Sequence, residues 1–400
     1  MKLFFLVLFY IFSSICESSE NDLFMEIIDE AAQAGHRDIG FIERGDTLTI
    51  TYWPLGFRND YAGFIDLRQR ISRYIEQKKD LQINNVELIQ TSWGVPIIQA
   101  NFEKYCPSHA DKFEKVFKMY LPKDFRNTHY RSKKLLLQFN IPLSIKFGSL
   151  LDPFIFKTGF RPDFRFLISP GIIAYSQVDL YVYNEFDPQM WYKPANLGFV
   201  YLRPFSKKNI SVTNIGAFTH KDIYGIDEEI KVFLFDDKFF LGIHLGLYGS
   251  ILFNDNRFTY TEIDKKLAIG SLTWSYSRYD CSIKLTGGRF LNGDKGGGIG
   301  ISRIFNEVEI GFLGIYSGNE FNGYIDFSVP LFPKSRKSLA FYGVAPVRNL
   351  CLSYRYDSKT ISHGPKEDKK GLEPEVGISY KEFEGLARPI HFRHLSIISE

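Results

Sequence analysis

The chain is poor in cysteine, methionine and tryptophan, with four of each in 400 residues. Cys16 falls in what reads as a leader. Cys106, Cys281 and Cys351 then remain, an odd set without the close spacing of a disulfide framework or a zinc site. Buried free thiols are the expectation, with a single Cys281–Cys351 bridge as the alternative. Long hydrophobic runs are also missing. Gly, Lys, Asp or Asn interrupts every apolar stretch beyond the N-terminus well before the roughly 20 residues that a spanning helix needs. A membrane segment in this chain would therefore be a β-barrel, because only helices and closed barrels satisfy their backbone in lipid. Neither sign of charge dominates. Lys and Arg total 49 against 46 Asp and Glu, a net charge of +3, so the basic footprint of a nucleic-acid binder is lacking. Catalytic motifs are lacking too: there is no G-x-S-x-G elbow, no H-E-x-x-H and no P-loop. Adjacent Ser362 and His363 do not orient a nucleophile toward a base. Asn254-Asp255-Asn256 lacks the glycine and distal glutamate of a calcium loop and reads as a turn. No metal, cofactor or enzymatic activity is expected.

The N-terminus carries Lys2, the apolar run Leu3 to Phe12 and small residues at Ser13, Ser14, Ser18 and Ser19. This is the layout of a secretory signal peptide, expected over residues 1–18 with cleavage near Ser18. Ile15 precedes Cys16 where a lipobox wants a small residue. Aromatics are abundant, with 38 Phe and 23 Tyr in a 16% aromatic fraction. They favour strands, and they furnish the girdles of outer-membrane barrels.

Residues 19–125 read as a small α+β domain placed in the periplasm. Asp22 can cap a helix with Phe24, Ile27, Ile28 and Ala31 on one face and Gly35 at its end. Asp46 to Trp53 alternates as a strand. Asn59 or Asp60 can cap a second helix with Phe64, Leu67, Ile71 and Ile75 buried. Val86 to Trp93 and Val95 to Phe102 flank Gly94 as a hairpin, and a third helix is expected near Ala110 to Met119.

From Lys133 the period changes to two. Leu241, Ile243, Leu245 and Leu247 oppose Gly242, His244, Gly246 and Tyr248. Ala268, Gly270, Leu272, Trp274 and Tyr276 oppose Ser271, Thr273 and Ser275. Phe321, Ile325, Phe327 and Val329 oppose Asn322, Tyr324, Asp326 and Ser328. A strand with one apolar and one polar side suits a soluble sandwich or a barrel whose apolar side meets lipid. With the leader and the absence of spanning helices, the reading is a mainly β chain: an antiparallel outer-membrane barrel over 133–358, of roughly 12 strands at about 9–11 residues each. Residues 359–400 form a polar tail with a possible final strand at Glu375 to Tyr380. On the polar side Tyr175, Tyr181, Tyr183, Tyr248 and Tyr324, with Asp179, Asp326, Lys146 and Lys284, could line a lumen. A tyrosine ring stacks on a sugar face while hydroxyls and carboxylates bond its OH groups. The alternative is that these rings simply fill a narrow barrel. His244 on the same side is read as structural.

Asn292 to Gly298 (NGDKGGG) lacks the ending of a phosphate loop and reads as a hairpin turn rich in positive φ. Together, Gly288 to Gly296 (GRFLNGDKG), the strand FNEVEIGFLGIYS and FNGYIDFSVPL resemble the closing section of the YjbH-type outer-membrane proteins of exopolysaccharide export. Ser169-Pro170-Gly171, Ile223-Tyr224-Gly225 and the hairpin TSWGVPIIQANF are similar to family features as well. The resemblance implies an outer-membrane barrel with a periplasmic module, assisting export or assembly of an exopolysaccharide without catalysis. It implies polysaccharide, outer-membrane lipid and other export components as partners. Gly288, Arg289, Gly293, Asp294, Lys295 and Gly296 would be structural or gating residues, and the tyrosines and Asp326 would contact glycan. Family members are longer, with another barrel ahead of this module. Other readings of the same barrel are a general porin, a surface adhesin, or an enzyme acting on lipid or glycan; a soluble β-rich periplasmic protein is the bland fallback.

Overall fold

The computed structural model describes residues 22–57, 60–77, 83–103, 112–115, 135–141, 143–147, 154–185, 189–206, 209–218, 222–234, 238–254, 257–276, 279–305, 308–330, 344–346 and 349–357. The leader, the polar tail, Cys16 and Cys106 lie outside them. Cys281 carries a free thiol, which removes the Cys281–Cys351 bridge. No helix among the described residues is long and apolar enough to cross a membrane.

The N-terminal part is a five-stranded sheet with two helices. Helix α1 (Asp22–Ala34) runs to Gly35, whose φ of 107° ends it. Strands β1 (Arg37–Arg44) and β2 (Thr47–Trp53) pair antiparallel. Helix α2 (Asp60–Gln77) crosses over to β3 (Asn85–Ser92), which is parallel to β2. β3 forms a hairpin with β4 (Val95–Glu103). The helical stripes meet the sheet: Ile27, Ile28, Ala31, Phe64, Leu67, Ile71 and Ile75 are buried against Leu48, Ile50, Val86 and Leu88. Each of the Ile, Leu, Val and Phe side chains contributes about 1.5–3 kcal/mol. The third helix does not form at its centre. Lys112–Lys115 is instead β5, an edge strand that satisfies the backbone of β4 from Ile98 to Asn101. A neighbour's open hydrogen-bonding edge outweighs a weak local helical preference.

The rest is one large sheet. Its strands are β6 (Leu135–Asn140), β7 (Leu143–Phe147), β8 (Phe154–Ser169), β9 (Ile172–Asn184), β10 (Tyr192–Ser206), β11 (Asn209–Phe218), β12 (Ile223–Leu234), β13 (Phe239–Asn254), β14 (Arg257–Tyr260), β15 (Lys265–Tyr276), β16 (Cys281–Arg289), β17 (Lys295–Phe305), β18 (Val308–Ser317), β19 (Glu320–Pro330), β20 (Val344–Pro346) and β21 (Asn349–Asp357). The order is β20-β6-β8-β9-β10-β11-β12-β13-β15-β16-β17-β18-β19-β21, with β7 on β8 and β14 on β13. All these pairs are antiparallel except β20 on β6. Fourteen strands on this path exceed the roughly 12 expected. The expectation allotted every strand a full crossing and a turn, whereas β6 and β20 are short pieces and Ser206 to Asn209 or Phe305 to Val308 is a minimal connection. The glycine-rich turn is likewise shorter than read. Only Phe290 to Asp294 form it, and Gly296 to Gly298 belong to β17.

The two faces of this sheet have reversed polarity. On β13, Leu241, Ile243, Leu245 and Leu247 are exposed while Gly242, Gly246 and Tyr248 are buried. On β9, Leu180 and Val182 are exposed while Tyr175, Gln177, Asp179 and Tyr181 are buried. The buried face is called the inner face below. The N-terminal domain docks on one of its rims. Trp93 and Val95 at the β3–β4 tip, with Trp53, Leu55, Ile97 and Ile98, join Leu136, Leu167, Ile173, Val200 and Leu202 in one buried cluster. Gly171 N–H donates to Trp93 O at 3.0 Å, and Arg37 Nη2 donates to Leu135 O at 3.4 Å. Both touching turns need glycine. Gly94 has φ of 75° and a Cβ there would lie 3.2 Å from Pro170; Gly171 has φ of 80° and a Cβ would lie 2.5 Å from Leu202 O.

Next to this contact sits a buried acid. Burial pushes the Asp38 carboxyl up to about 6, with the adjacent Arg37 charge pulling the other way. The folded domain therefore binds this proton more tightly than the unfolded chain. The stability it contributes is full below about pH 4 and is lost as pH rises through 6. Asp66 has the opposite sign. Burial raises it, but hydrogen bonds from His36 and Arg70 and their charge hold it well below the usual carboxylate range. Its contribution is present above about pH 4 and lost in stronger acid. In Asp38→Asn, the decline in stability between about pH 4 and 6 disappears. Hydrogen exchange of the β1–β3 amides in the full chain, corrected for intrinsic rates, measures this. An unchanged slope would remove Asp38 as its source.

Candidate functional site

The polar side chains converge on the inner face, and the strand register shows how. On β8, Arg161, Asp163 and Arg165 alternate with exposed Phe160 and Phe164, so all three charges point inward. Asp163 is 0% exposed and accepts from Arg165 Nε at 2.8 Å and Nη2 at 2.6 Å. Arg161 Nη2 donates to Asp179 Oδ2 at 3.1 Å, and Tyr181 OH donates to the same oxygen at 3.2 Å. Asn196 Nδ2 donates to Gln177 Oε1 at 2.6 Å. A charge removed from water is tolerated only when paired this closely.

A second cluster centres on Asp227 of β12. Its carboxylate accepts from Tyr248 OH, contacts His244 Nε2, and accepts from Asn214 Nδ2 at 3.5 Å. Register sets Asp227 opposite both Asn214 and Gly246. Gly246 leaves room for the Tyr248 ring, which lies where a Cβ would stand. Further round, Lys231 Nζ meets Glu229 at 3.3 Å and lies 5.4 Å from the centre of the Phe240 ring. Among the described residues no group of three or more His, Cys, Asp or Glu side chains is placed to hold a metal.

The Phe290 to Asp294 turn lies at the rim opposite the N-terminal domain. Phe290 and Leu291 fold inward and are buried with Phe218, Ile223, Tyr248, Leu267, Ile269 and Ile315. Phe290 N–H donates to Asp294 O at 2.8 Å and Gly293 N–H to Phe290 O at 2.9 Å. Ser317 Oγ donates to Asp294 Oδ2, tying the turn to β18. A single buried apolar cluster thus includes side chains at both rims of the inner face.

The residues expected to contact glycan divide. Tyr175, Tyr181 and Tyr248 are inward and nearly inaccessible, so they fill the inner face. Tyr183 is 48% exposed at the rim, where its OH donates to Glu185 at 2.6 Å. Asp326 is half-buried opposite Gly311. Tyr324 stands opposite Leu313, and its side chain lies outside the described residues. Of the turn residues, Gly288, Gly293, Asp294 and Gly296 shape the turn and the strands it joins, whereas Arg289 and Lys295 point to the exposed face. Sequence reasoning missed Arg161, Asp163, Arg165 and the Asp227 cluster. The alternation of β8 carries the signal for the first three.

No protein-family model matches the chain, and no curated protein matches it. Among solved structures, OmpT (in-vitro folded), an outer membrane protein of Vibrio cholerae, is similar over 48% of this chain and 80% of that one. Identity is 6% and the TM-score 0.27. That overlap is too slight to assign a fold or an activity.

Arg165→Met leaves the Asp163 carboxylate buried without its partner and costs about 3–5 kcal/mol. Combining it with Asp163→Leu restores most of that loss, because a pair replaced by apolar groups of similar size is close to neutral. Urea unfolding of the purified chain in detergent compares the two. Equal instability of single and double variants would show that the pair does more than balance its own burial.

Proposed function

We propose that the chain is an outer-membrane β-barrel with its small α/β domain in the periplasm, and that it assists export or assembly of an exopolysaccharide without catalysing a reaction. The observation that carries the membrane part is the reversed polarity of the large sheet. Water would not favour a face on which Leu197, Phe199, Ile215, Leu241, Ile243, Leu245, Leu247, Leu285, Ile299, Ile301 and Phe312 are all exposed; lipid would. Aromatics collect where such a belt would meet head groups. Trp191, Tyr192, Tyr260, Tyr316 and Phe321 are exposed near one rim, and Phe205, Tyr276, Tyr279 and Phe305 near the other. Arg203 and Arg303 each lie 4.7 Å from the centre of the neighbouring Phe205 and Phe305 rings, as interfacial cations do. Closure is supported by β20 and β21. They follow each other in the chain, and one pairs with β6 while the other pairs with β19, toward opposite ends of the sheet order.

The polysaccharide part rests on the resemblance of residues 288–331 and of the hairpin TSWGVPIIQANF. The filled inner face favours a scaffold over an open pore, so glycan contact falls on the rims, with Tyr183 as the exposed tyrosine among the described side chains of the candidate set. A second reading draws on the Asp227–His244 pair, which an enzyme acting on lipid or glycan could use once Tyr248 moved aside.

On this reading the folded protein migrates differently in gels before and after boiling. Ile243→Arg, a charge in mid-belt, destabilises it by about 2–4 kcal/mol. A chain that fractionates as soluble periplasmic material would sink the barrel. Clean deletion alters the ratio of secreted to cell-bound polysaccharide. Unaltered polysaccharide with changed solute permeability or surface adhesion would favour a porin or adhesin, and loss of a hydrolytic activity in His244→Ala would favour the enzyme.

A further inference from the structure

The exposed face carries one group that its apolar belt does not explain. Lys266, Arg289 and Lys295 lie on neighbouring strands β15, β16 and β17, all exposed, at the rim away from the N-terminal domain. Arg289 stands directly opposite Lys295 on one side and Ala268 on the other; Lys266 is one step nearer the rim on the same face. Like charges facing each other across a ladder repel. None of the three is joined to an acid by an ion pair among the described residues. Two acids flank them in sequence. Asp264 is exposed two residues before Lys266, and Asp294, next to Lys295, is engaged by Ser317. The wall below the cations is recessed. Gly270, Gly287 and Gly297 form one cross-strand row, with Ile243 at one end and Tyr316 at the other. Leu272, Leu285 and Ile299 follow in the next row, all exposed.

We infer that this patch binds a phosphorylated glycolipid of the outer leaflet, with Lys266, Arg289 and Lys295 on phosphate oxygens and the recessed wall against an acyl chain. The inference rests on the membrane reading above, which sets the N-terminal domain in the periplasm and this rim at the outer leaflet. Charge complementarity selects the head group. A guanidinium offers two parallel N–H donors to one phosphate, and the two ammonium groups add point charges. At the head-group level these attractions are screened less than in water. An anion between Arg289 and Lys295 also relieves their mutual repulsion. The apolar wall selects a lipid over a soluble phosphate, because a free anion gains nothing from Leu272, Leu285 or Ile299.

The test uses the full chain, purified in detergent and incubated with purified bisphosphorylated lipid A, with lipid A lacking both phosphates, or with phosphatidylglycerol. Native mass spectrometry counts the lipid retained. The expected result is retention of bisphosphorylated lipid A by the natural chain and a fall of about tenfold or more in the triple variant K266Q/R289Q/K295Q. Arg257→Gln, an exposed cation on the same rim outside the patch, leaves retention unchanged. Heat-dependent gel mobility, read on each sample, reports the barrel separately. A heat-modifiable triple variant that keeps its lipid A overturns this inference and leaves the barrel standing. Equal retention of the dephosphorylated form or of phosphatidylglycerol overturns it as well. A natural chain that shows no heat-dependent mobility removes the barrel and this site with it.

Discussion

The structure depends on charges being matched where water is excluded. The inner face of the large sheet holds Asp163, Arg165, Asp179, Asp227 and Lys231, each nearly inaccessible. Burying an ion costs several kcal/mol unless a partner stands within hydrogen-bond reach. Each of these is met by a neighbour on its own or an adjacent strand, and the two contacts that cross strands, Arg161 with Asp179 and His244 with Asp227, reinforce the backbone register of β8 on β9 and of β12 on β13. A slip of one residue would turn Arg161, Asp163 and Arg165 outward together and bring three phenylalanines in. The apolar exposed face gives little register information, since one leucine row resembles the next.

The packed rims follow from the same constraint. At one end the Trp53–Trp93 pair, with ring centres 5.0 Å apart, sits over the β8–β9 turn. At the other, Phe290 and Leu291 turn in. Between them the polar residues are shielded and their pairs strengthened, because attraction grows as the local dielectric falls. The N-terminal domain therefore helps cover one rim of the inner face, and Arg37 belongs to the seam between the two sheets.

Much of this was legible in the sequence, and for a definite reason. Period two survives in β13, β15 and β19 because the apolar side chains fall on the more exposed face of each strand and the polar ones on the more buried face. The stripe Phe64, Leu67, Ile71, Ile75 gave α2 for the same reason at a different period. The turn glycines Gly35, Gly94 and Gly171 stood out because their positive-φ backbone favours glycine. What stayed hidden was pairing across the chain. Asp227 and His244 are unremarkable on separate strands until register sets them on adjacent ladders. Lys112–Lys115 became a strand because β4 offered an edge, which a local pattern does not record. Tyr175 and Tyr248 looked like ligand-contacting rings, and their alternation does place them inward. Alternation is silent on how much room is left around them.

The pairing of β20 with β6 joins Leu137 to Val344, the most widely separated partners in sequence of any strand pair among the described residues. Loop closure over so long a span is slow, since its entropy is lost before any contact rewards it. β6 and β19 therefore stay open-edged until the last strands arrive, through most of synthesis and assembly. Open edges of this kind pair readily with other chains. The two final strands therefore contribute by covering the edges of β6 and β19 as well as by their own contacts.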